Sequence, residues 1–559
     1  MGLNTSLTRK DFLASALGIA GVAALPAELR AAVLQKTVGE TEIEAMERAI
    51  GFPLTPAQRK ALVAGSASLR NGYLTVQKMN LGNEIAMPMP FVPMGRQQKE
   101  GKSVSVKLGR AVESKLPTKD EDIAFLPVSE LSRFIKSGEL SPVRLTEIYL
   151  SRLMRYGGPL LNVITLCDSL AREQAKRAEA EIRAGKYRGP LHGIPYVIKD
   201  LFDSKGIRTT WGAEPFKNRI AESDADVIQM LADAGAILCA KTSVGALAMD
   251  DHWFNGKTKN PWNPKVGSSG SSAGSASCMA AGLAAFTIGT ETLGSIMSPS
   301  HRCRVTGLRP TFGRVSRKGC MALSWTMDKV GPICRTAEDC ALVLAAICGK
   351  REGDLATVDR PFRFQSDLDL RKLKIAYLSD DAGLDEDDSG GGPDDVIKLL
   401  RSMGCDPKPV KFARVPEGID MVLSVEAAAA FDAITRDGRV DTIPSSLWPG
   451  IFRESQFATG VGYVNAQRAR VLTMAQIETD FADFDVVIAS DRGSYLLFNT
   501  NLTGHPQLYV PFGTDSKGVA RGVSLIGRLY DEGTILAVGS QIQRKTGHWK
   551  LRPNLSAVL

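Results

Sequence analysis

The chain has no CxxC pair, no HxxxH or HExxH spacing, no GxxxxGK[ST] loop, no long block of like charges and no apolar run long enough to cross a bilayer. Each absence removes a class of protein. Nine cysteines in 559 residues, odd in number and scattered, do not make a disulfide framework. Cys239, Cys278, Cys340 and Cys348 sit among Ala, Leu and Val, where a free thiol behaves as a small apolar side chain. The five histidines, His192, His252, His301, His505 and His548, lack zinc-ligand spacing, so no metal site is expected. A net charge of +8 is small for this length and supports neither a nucleic-acid partner nor stable membrane insertion. With 44% hydrophobic and 23% charged residues the proportions are globular, which excludes a disordered or fibrous chain.

The N-terminus stands apart. Arg9-Lys10 precede an apolar stretch from Phe12 to Leu25, followed by Pro26-Ala27. Charge, apolar run and small residues in that order are the layout of a signal peptide, and Thr8 to Leu13 resembles the twin-arginine export motif with Lys in the second position. The expectation is an export signal over residues 1–31 and a periplasmic protein, or a cytoplasmic one if Arg9-Lys10 is not used. Residues 32–120 read as an arm: a helix near Thr41 to Phe52, then a wrap rich in proline (Pro88, Pro90, Pro93), which neither a regular helix nor a central strand accommodates.

From residue 121 to 555 the texture is that of one large domain. Helices are expected over Val128 to Ile135, Leu145 to Met154, Ser169 to Arg183 and Ala225 to Ala234. Strands are expected at Asn162 to Leu166, Gly193 to Ile198, Ala236 to Ala240, Lys374 to Leu378 and Val486 to Ile488. Short apolar strands alternating with helices imply an α/β sheet covered on both faces. Asp380 to Pro393, acidic and rich in glycine, reads as a surface loop.

Three segments carry chemistry. Gly193-Ile-Pro-Tyr-Val-Ile-Lys199-Asp200 is an apolar strand ending in a lysine; a desolvated ammonium there becomes a neutral base near pH 7, although a lysine at a strand end commonly snorkels to water. The Gly/Ser run from Gly267 to Ser275 is bracketed by Asn260-Pro-Trp-Asn-Pro264 and a helix-like end, unlike a linker. It contains GxSxG, but a nucleophile elbow needs a strand directly before it, and Pro261 and Pro264 argue against one. The third segment, Thr287 to Pro299, reads as a strand running into a glycine turn that presents Ser295 at a helix start, where converging N–H groups are the makings of an oxyanion hole.

In this order the segments resemble the amidase signature family. The likeness extends to GLRPTFGRVSRKG at Gly307 to Gly319, DKVGPICRTAEDCAL at Asp328 to Leu342 and LTGHPQLYVPFG at Leu502 to Gly513. It implies an α/β fold with a large central mixed sheet under helices on both faces, and a Ser–Ser–Lys triad. Lys199 would be the base, Ser271 (after a cis peptide in the family) the proton relay, and Ser295 the nucleophile that carries the acyl group. The amides of Thr292, Leu293, Gly294 and Ser295 match the oxyanion-hole positions. No metal or cofactor is required, and the implied partner is a small-molecule amide, hydrolysed at its carbon–nitrogen bond; a homodimer is left open. The alternative is the amidase subunit of a tRNA-dependent amidotransferase, whose sequences share the later motifs.

Some positions depart from the family. Glu291 and Leu293 stand where Asp and Gly are common, and Met297 where an Arg is common; Arg302 and Arg304 replace uncharged residues. An unpaired carboxylate in a buried turn is costly. The expectation is that Arg302 or Arg304 pairs with Glu291.

Overall fold

The structure is a computed structural model that describes residues 39–50, 55–57, 59–60, 63, 101, 103–109, 114–380, 394–416, 418–514 and 520–559. The export segment, the proline-rich wrap at Met87 to Met94 and all but the first residue of the acidic loop at Asp380 lie outside the described residues.

The first long element of the main body, α1 (Val128–Ser137), ends at Gly138 in the left-handed region with φ 81°. Helix α2 (Pro142–Leu160) begins with proline in its first turn, and the Ser141 hydroxyl accepts the N–H groups of Val143 and Arg144 at 3.1 and 3.2 Å. Strand β1 (Val163–Leu166), helix α3 (Asp168–Arg183), strand β2 (Pro195–Lys199), helix α4 (Asp226–Asp233) and strand β3 (Ile237–Thr242) follow the expected alternation. Every residue of β2 and β3 is buried. That is why both strands are apolar throughout rather than alternating: helices cover the two faces of the sheet.

The eight remaining strands of the main sheet are β4 (Phe286–Glu291), β5 (Thr306–Arg309), β6 (Lys329–Cys334), β7 (Ile375–Leu378), β8 (Lys408–Val410), β9 (Val486–Ser490), β10 (Gln507–Thr514) and β11 (Ala520–Gly527). The eleven strands lie in the order β8-β7-β9-β11-β10-β5-β6-β4-β2-β3-β1. Strands β3, β2 and β4 are mutually parallel, as are β8, β7 and β9, while β6, β5, β10 and β11 make an antiparallel centre between them. Tyr196 of β2 is in register with Phe286 of β4, and their rings stack 5.2 Å apart.

The antiparallel centre is what the sequence reading did not resolve. In β10, Pro511 falls beside a register shift, where a missing N–H costs no ladder bond. Nor was the strand at Asn263–Gly267 foreseen; it pairs with Lys259–Asn260 in a small exposed hairpin outside the main sheet. Pro261 and Pro264 do not prevent so short a ladder. Within the arm, Val104–Lys107 pairs in parallel with Phe362–Gln365, and Glu40–Ile50 is helical. All nine cysteines are free thiols. Among the described residues no helix is long and apolar enough to cross a membrane.

Close packing between β5 and β6 depends on Gly331, where a Cβ would lie 2.0 Å from the carbonyl oxygen of Leu308. Gly331→Ala is expected to lower unfolding stability by about 1–3 kcal/mol, the usual cost of overpacking. A urea titration with an unchanged midpoint would contradict this packing.

Candidate active site

Strand β2 delivers Lys199 to the middle of the molecule with no solvent exposure. Its Nζ donates to Ser271 Oγ at 2.8 Å, to Thr290 Oγ1 at 2.8 Å and to the Thr290 carbonyl at 3.4 Å. Desolvation brings its pKa down to about 7, against smaller opposing effects from Cys320, Asp328 and Glu291. The lysine does not snorkel, because β2 lies inside the sheet and its end is roofed by the Gly/Ser loop and by β4.

Ser271 follows a cis peptide bond from Gly270. Its neighbour Ser272 is turned the other way: Ser272 Oγ donates to the Thr290 carbonyl at 3.0 Å and accepts the Thr290 N–H at 3.2 Å. The backbone of β4 thus occupies the Ser272 hydroxyl, which has no lysine beside it. Gly289 makes room for that hydroxyl, since a Cβ there would lie 2.7 Å from it. Helix α5 (Ala273–Ala280) then carries the chain away beneath the sheet.

Ser295 sits in the turn between β4 and helix α6 (Met297–Cys303), and its carbonyl accepts the Ser272 N–H at 3.1 Å. The two serine loops are therefore tied to each other by backbone. Ser271 Oγ is bonded to Lys199, and no hydrogen bond joins it to the Ser295 hydroxyl. Thr292, Leu293, Gly294 and Ser295 line one turn, with Gly294 at φ 81°. The N–H groups of Leu293, Gly294 and Ser295 donate to no other described residue. The Thr292 hydroxyl donates to Asp328 Oδ1 at 2.6 Å, and Asp328 Oδ2 accepts the N–H groups of Leu323 and Ser324.

The expectation for Glu291 is overturned. Arg309 of β5, not Arg302 or Arg304, is its partner: Nη1 lies 2.7 Å from Glu291 Oε1, and both side chains are fully buried. Arg302 is exposed on α6, and the Arg304 guanidinium lies 4.5 Å from the centre of the Trp262 ring. The same Glu291 oxygen accepts Asn501 Nδ2 at 2.9 Å, while Oε2 accepts the N–H groups of Ile296 and Met297 at 2.8 and 2.9 Å. The carboxylate thus caps the helix that starts directly behind Ser295. Burial by itself would push the Glu291 carboxyl up; Arg309, the Met297 N–H, nearby Lys329 and Asn501 outweigh it and hold it below the ordinary range.

Thr290, Asp328, Arg309 and Asn501 were not singled out from sequence. Thr290 and Asp328 lie inside segments that were, and Arg309 inside the GLRP motif, but only the sheet order brings β5 within reach of Glu291. Nothing local marks Asn501. A cavity of ≈ 270 Å³ adjoins the site, lined at its inner end by Leu201, Ala248, Thr290, Thr292 and Asp328 and reaching exposed Leu355 at the other.

Such a fold and constellation place the chain among enzymes that cleave carbon–nitrogen bonds. It belongs to the amidase family, whose model matches residues 144–490. A glutamyl-tRNA(Gln) amidotransferase subunit from Roseiflexus sp. (strain RS-1) is 31% identical over 481 residues, which cover 77% of this chain and 98% of that protein. Its counterpart of the same description from Pseudomonas syringae pv. tomato is 32% identical, covering 76% and 98%. Among solved structures, the peptide amidase from Stenotrophomonas maltophilia superposes with a TM-score of 0.67 at 26% identity, covering 77% of this chain and 98% of that one.

Arg309→Met leaves Glu291 buried without its cation and is expected to cost about 3–5 kcal/mol. Adding Glu291→Gln should recover part of it. Because the folded-state value of Glu291 is depressed, its contribution is present above its unfolded value and lost as pH falls through the folded one. The wild-type excess over the double variant in a denaturation series should therefore shrink at acid pH; a constant difference would remove the ionised carboxylate from this role.

Proposed function

We propose that this chain hydrolyses a linear amide through an acyl-enzyme on Ser295, with Ser271 as proton relay and Lys199 as base. The contact that carries the reading is the 2.8 Å hydrogen bond from a fully desolvated Lys199 to Ser271. A serine hydroxyl is a weak nucleophile until its proton is removed as it attacks. In this scheme neutral Lys199 takes the Ser271 proton, Ser271 takes that of Ser295, and Ser295 Oγ bonds to the amide carbon. Negative charge gathers on the carbonyl oxygen, and the N–H groups of Thr292, Leu293, Gly294 and Ser295 are the donors proposed to receive it. Collapse breaks the C–N bond, and the proton held by Lys199 returns through Ser271 to the departing amine. Water then attacks the ester with the same relay, releasing a carboxylic acid and restoring Ser295.

A second reading rests on the relatives described as glutamyl-tRNA(Gln) amidotransferase subunits, which the match covers almost end to end. It keeps the same acyl-enzyme and makes the chain the amidase component of a tRNA-dependent amidotransferase. Turnover of a panel of amides, esters and peptide amides by the purified chain alone would favour the first reading. Fluorophosphonate labelling without such turnover would favour the second. Export through the Arg9-Lys10 segment is proposed with the first reading, and recovery of the protein in a periplasmic fraction would support it.

A fluorophosphonate is expected to label Ser295, and Ser295→Ala to lose both label and turnover; mass-spectrometric mapping of the label to Ser272 would refute the assignment.

With Lys199 near 7, kcat/KM should rise with pH through about 7 and level off above, since the neutral amine is the active form. Lys199→Ala should lose several orders of magnitude and Ser271→Ala less, whereas near-normal rates in Lys199→Ala would exclude this base.

A further inference from the structure

Between β3 and the Gly/Ser loop, three consecutive residues turn their ligand atoms toward one another. Asp250, Asp251 and His252 place two carboxylate oxygens and one imidazole nitrogen within 4.8 Å of each other. His252 Nδ1 lies 3.4 Å from Asp251 Oδ1 and 3.7 Å from Asp250 Oδ2. Asp251 has a side chain only 2% exposed, and its Oδ1 is buried without a hydrogen-bond partner; so is His252 Nδ1, which it faces. A buried carboxylate oxygen and a buried ring nitrogen, aimed at one point and engaged by no donor or acceptor, ask for a shared ligand.

From this geometry we infer that Asp250, Asp251 and His252 form a binding site for a divalent transition-metal ion such as Zn²⁺. An ion held about 2.0–2.2 Å from each donor in tetrahedral geometry separates its ligands by about 3.4 Å, the spacing found here without rearrangement. One imidazole with two carboxylates suits zinc or manganese better than magnesium or calcium, which take oxygen ligands. Three protein donors leave a fourth position for water. The competing cation is Lys257, whose Nζ lies 3.9 Å from Asp251 Oδ1 with a side chain 49% exposed and free to withdraw to solvent.

The ion would bear on the loop that carries Ser271. The second oxygen of Asp251 accepts the Ser269 N–H at 2.9 Å, its carbonyl accepts the Thr258 N–H, and the Thr258 carbonyl accepts the Ser268 N–H. Gly267 and Gly270 are moulded on the same segment: a Cβ at either would lie about 2 Å from Asp251 Oδ2 or the Asp250 carbonyl. Fixing Oδ1 on a metal therefore stiffens the wall against which residues 267–271 are folded. A search for paired histidines overlooks this set because its donors are adjacent in sequence, brought together by a left-handed Asp250 with φ 54°.

Zinc chloride titrated into the full-length protein by calorimetry, after treatment with a chelator, should show one saturable ion per chain. Asp250→Asn and His252→Ala, both at partly exposed side chains and outside the proposed catalytic set, should each weaken that ion at least tenfold. Lys257→Met should tighten it. Hydrogen exchange of residues 267–271 should slow on zinc addition in the wild type and not in His252→Ala. Absence of saturable binding, or binding unmoved by both Asp250→Asn and His252→Ala, overturns the site.

Discussion

Lys199 reaches the end of β2 with its whole side chain withdrawn from water, and oxygen atoms of Ser271 and Thr290 are all it meets there. No carboxylate touches it. A buried ammonium so placed gives up its proton near neutrality, since none of those neutral oxygens repays the lost hydration of a full charge. The surrounding architecture serves this constraint. The strand must lie within the sheet and not at its edge, both faces must be covered, and the Gly/Ser loop must close over the tip so that Ser271 alone stands between the amine and the rest of the site.

The nucleophile turn is held by the opposite device, a buried charge fully compensated. Glu291 spends its two oxygens on Arg309, Asn501 and the first N–H groups behind Ser295. A carboxylate that caps a helix start and meets a guanidinium in a region without water has one favourable position, so the turn between β4 and α6 has one shape. The two designs differ in purpose. At Lys199 the missing partner shifts the proton, whereas at Glu291 the complete set of partners fixes geometry, and only backbone and hydroxyl contacts join the two regions.

Much of the outer architecture was legible in the chain. Apolar runs such as Tyr196 to Ile198 and Ile237 to Ala240 have the length and composition of doubly covered strands, and Ser141-Pro142 marks a helix start by chemistry that works within one turn. The antiparallel centre was not. Strand β10 carries Pro511 and a register shift, and β5 is a four-residue strand embedded in a motif that reads as a loop. Such strands are set by the neighbours they pair with more than by their own composition.

Residue types at fixed spacing determined the chemistry on offer: a lysine closing an apolar strand, a Gly/Ser loop with Ser271, and a glycine turn presenting Ser295. Those features are local, and local sequence specifies them. The assignment of partners was not local. Arg302 and Arg304 stand nearest Glu291 in sequence among the arginines that follow it, yet α6 leaves Arg302 exposed and sets Arg304 against Trp262, while β5 places Arg309 beside the carboxylate. Which of Ser271 and Ser272 meets the lysine was likewise decided by the fold, since β4 engages the Ser272 hydroxyl and leaves that of Ser271 facing Lys199. Sheet order is fixed by packing over the whole domain, and an ion pair or relay that crosses strands exists only once that order does.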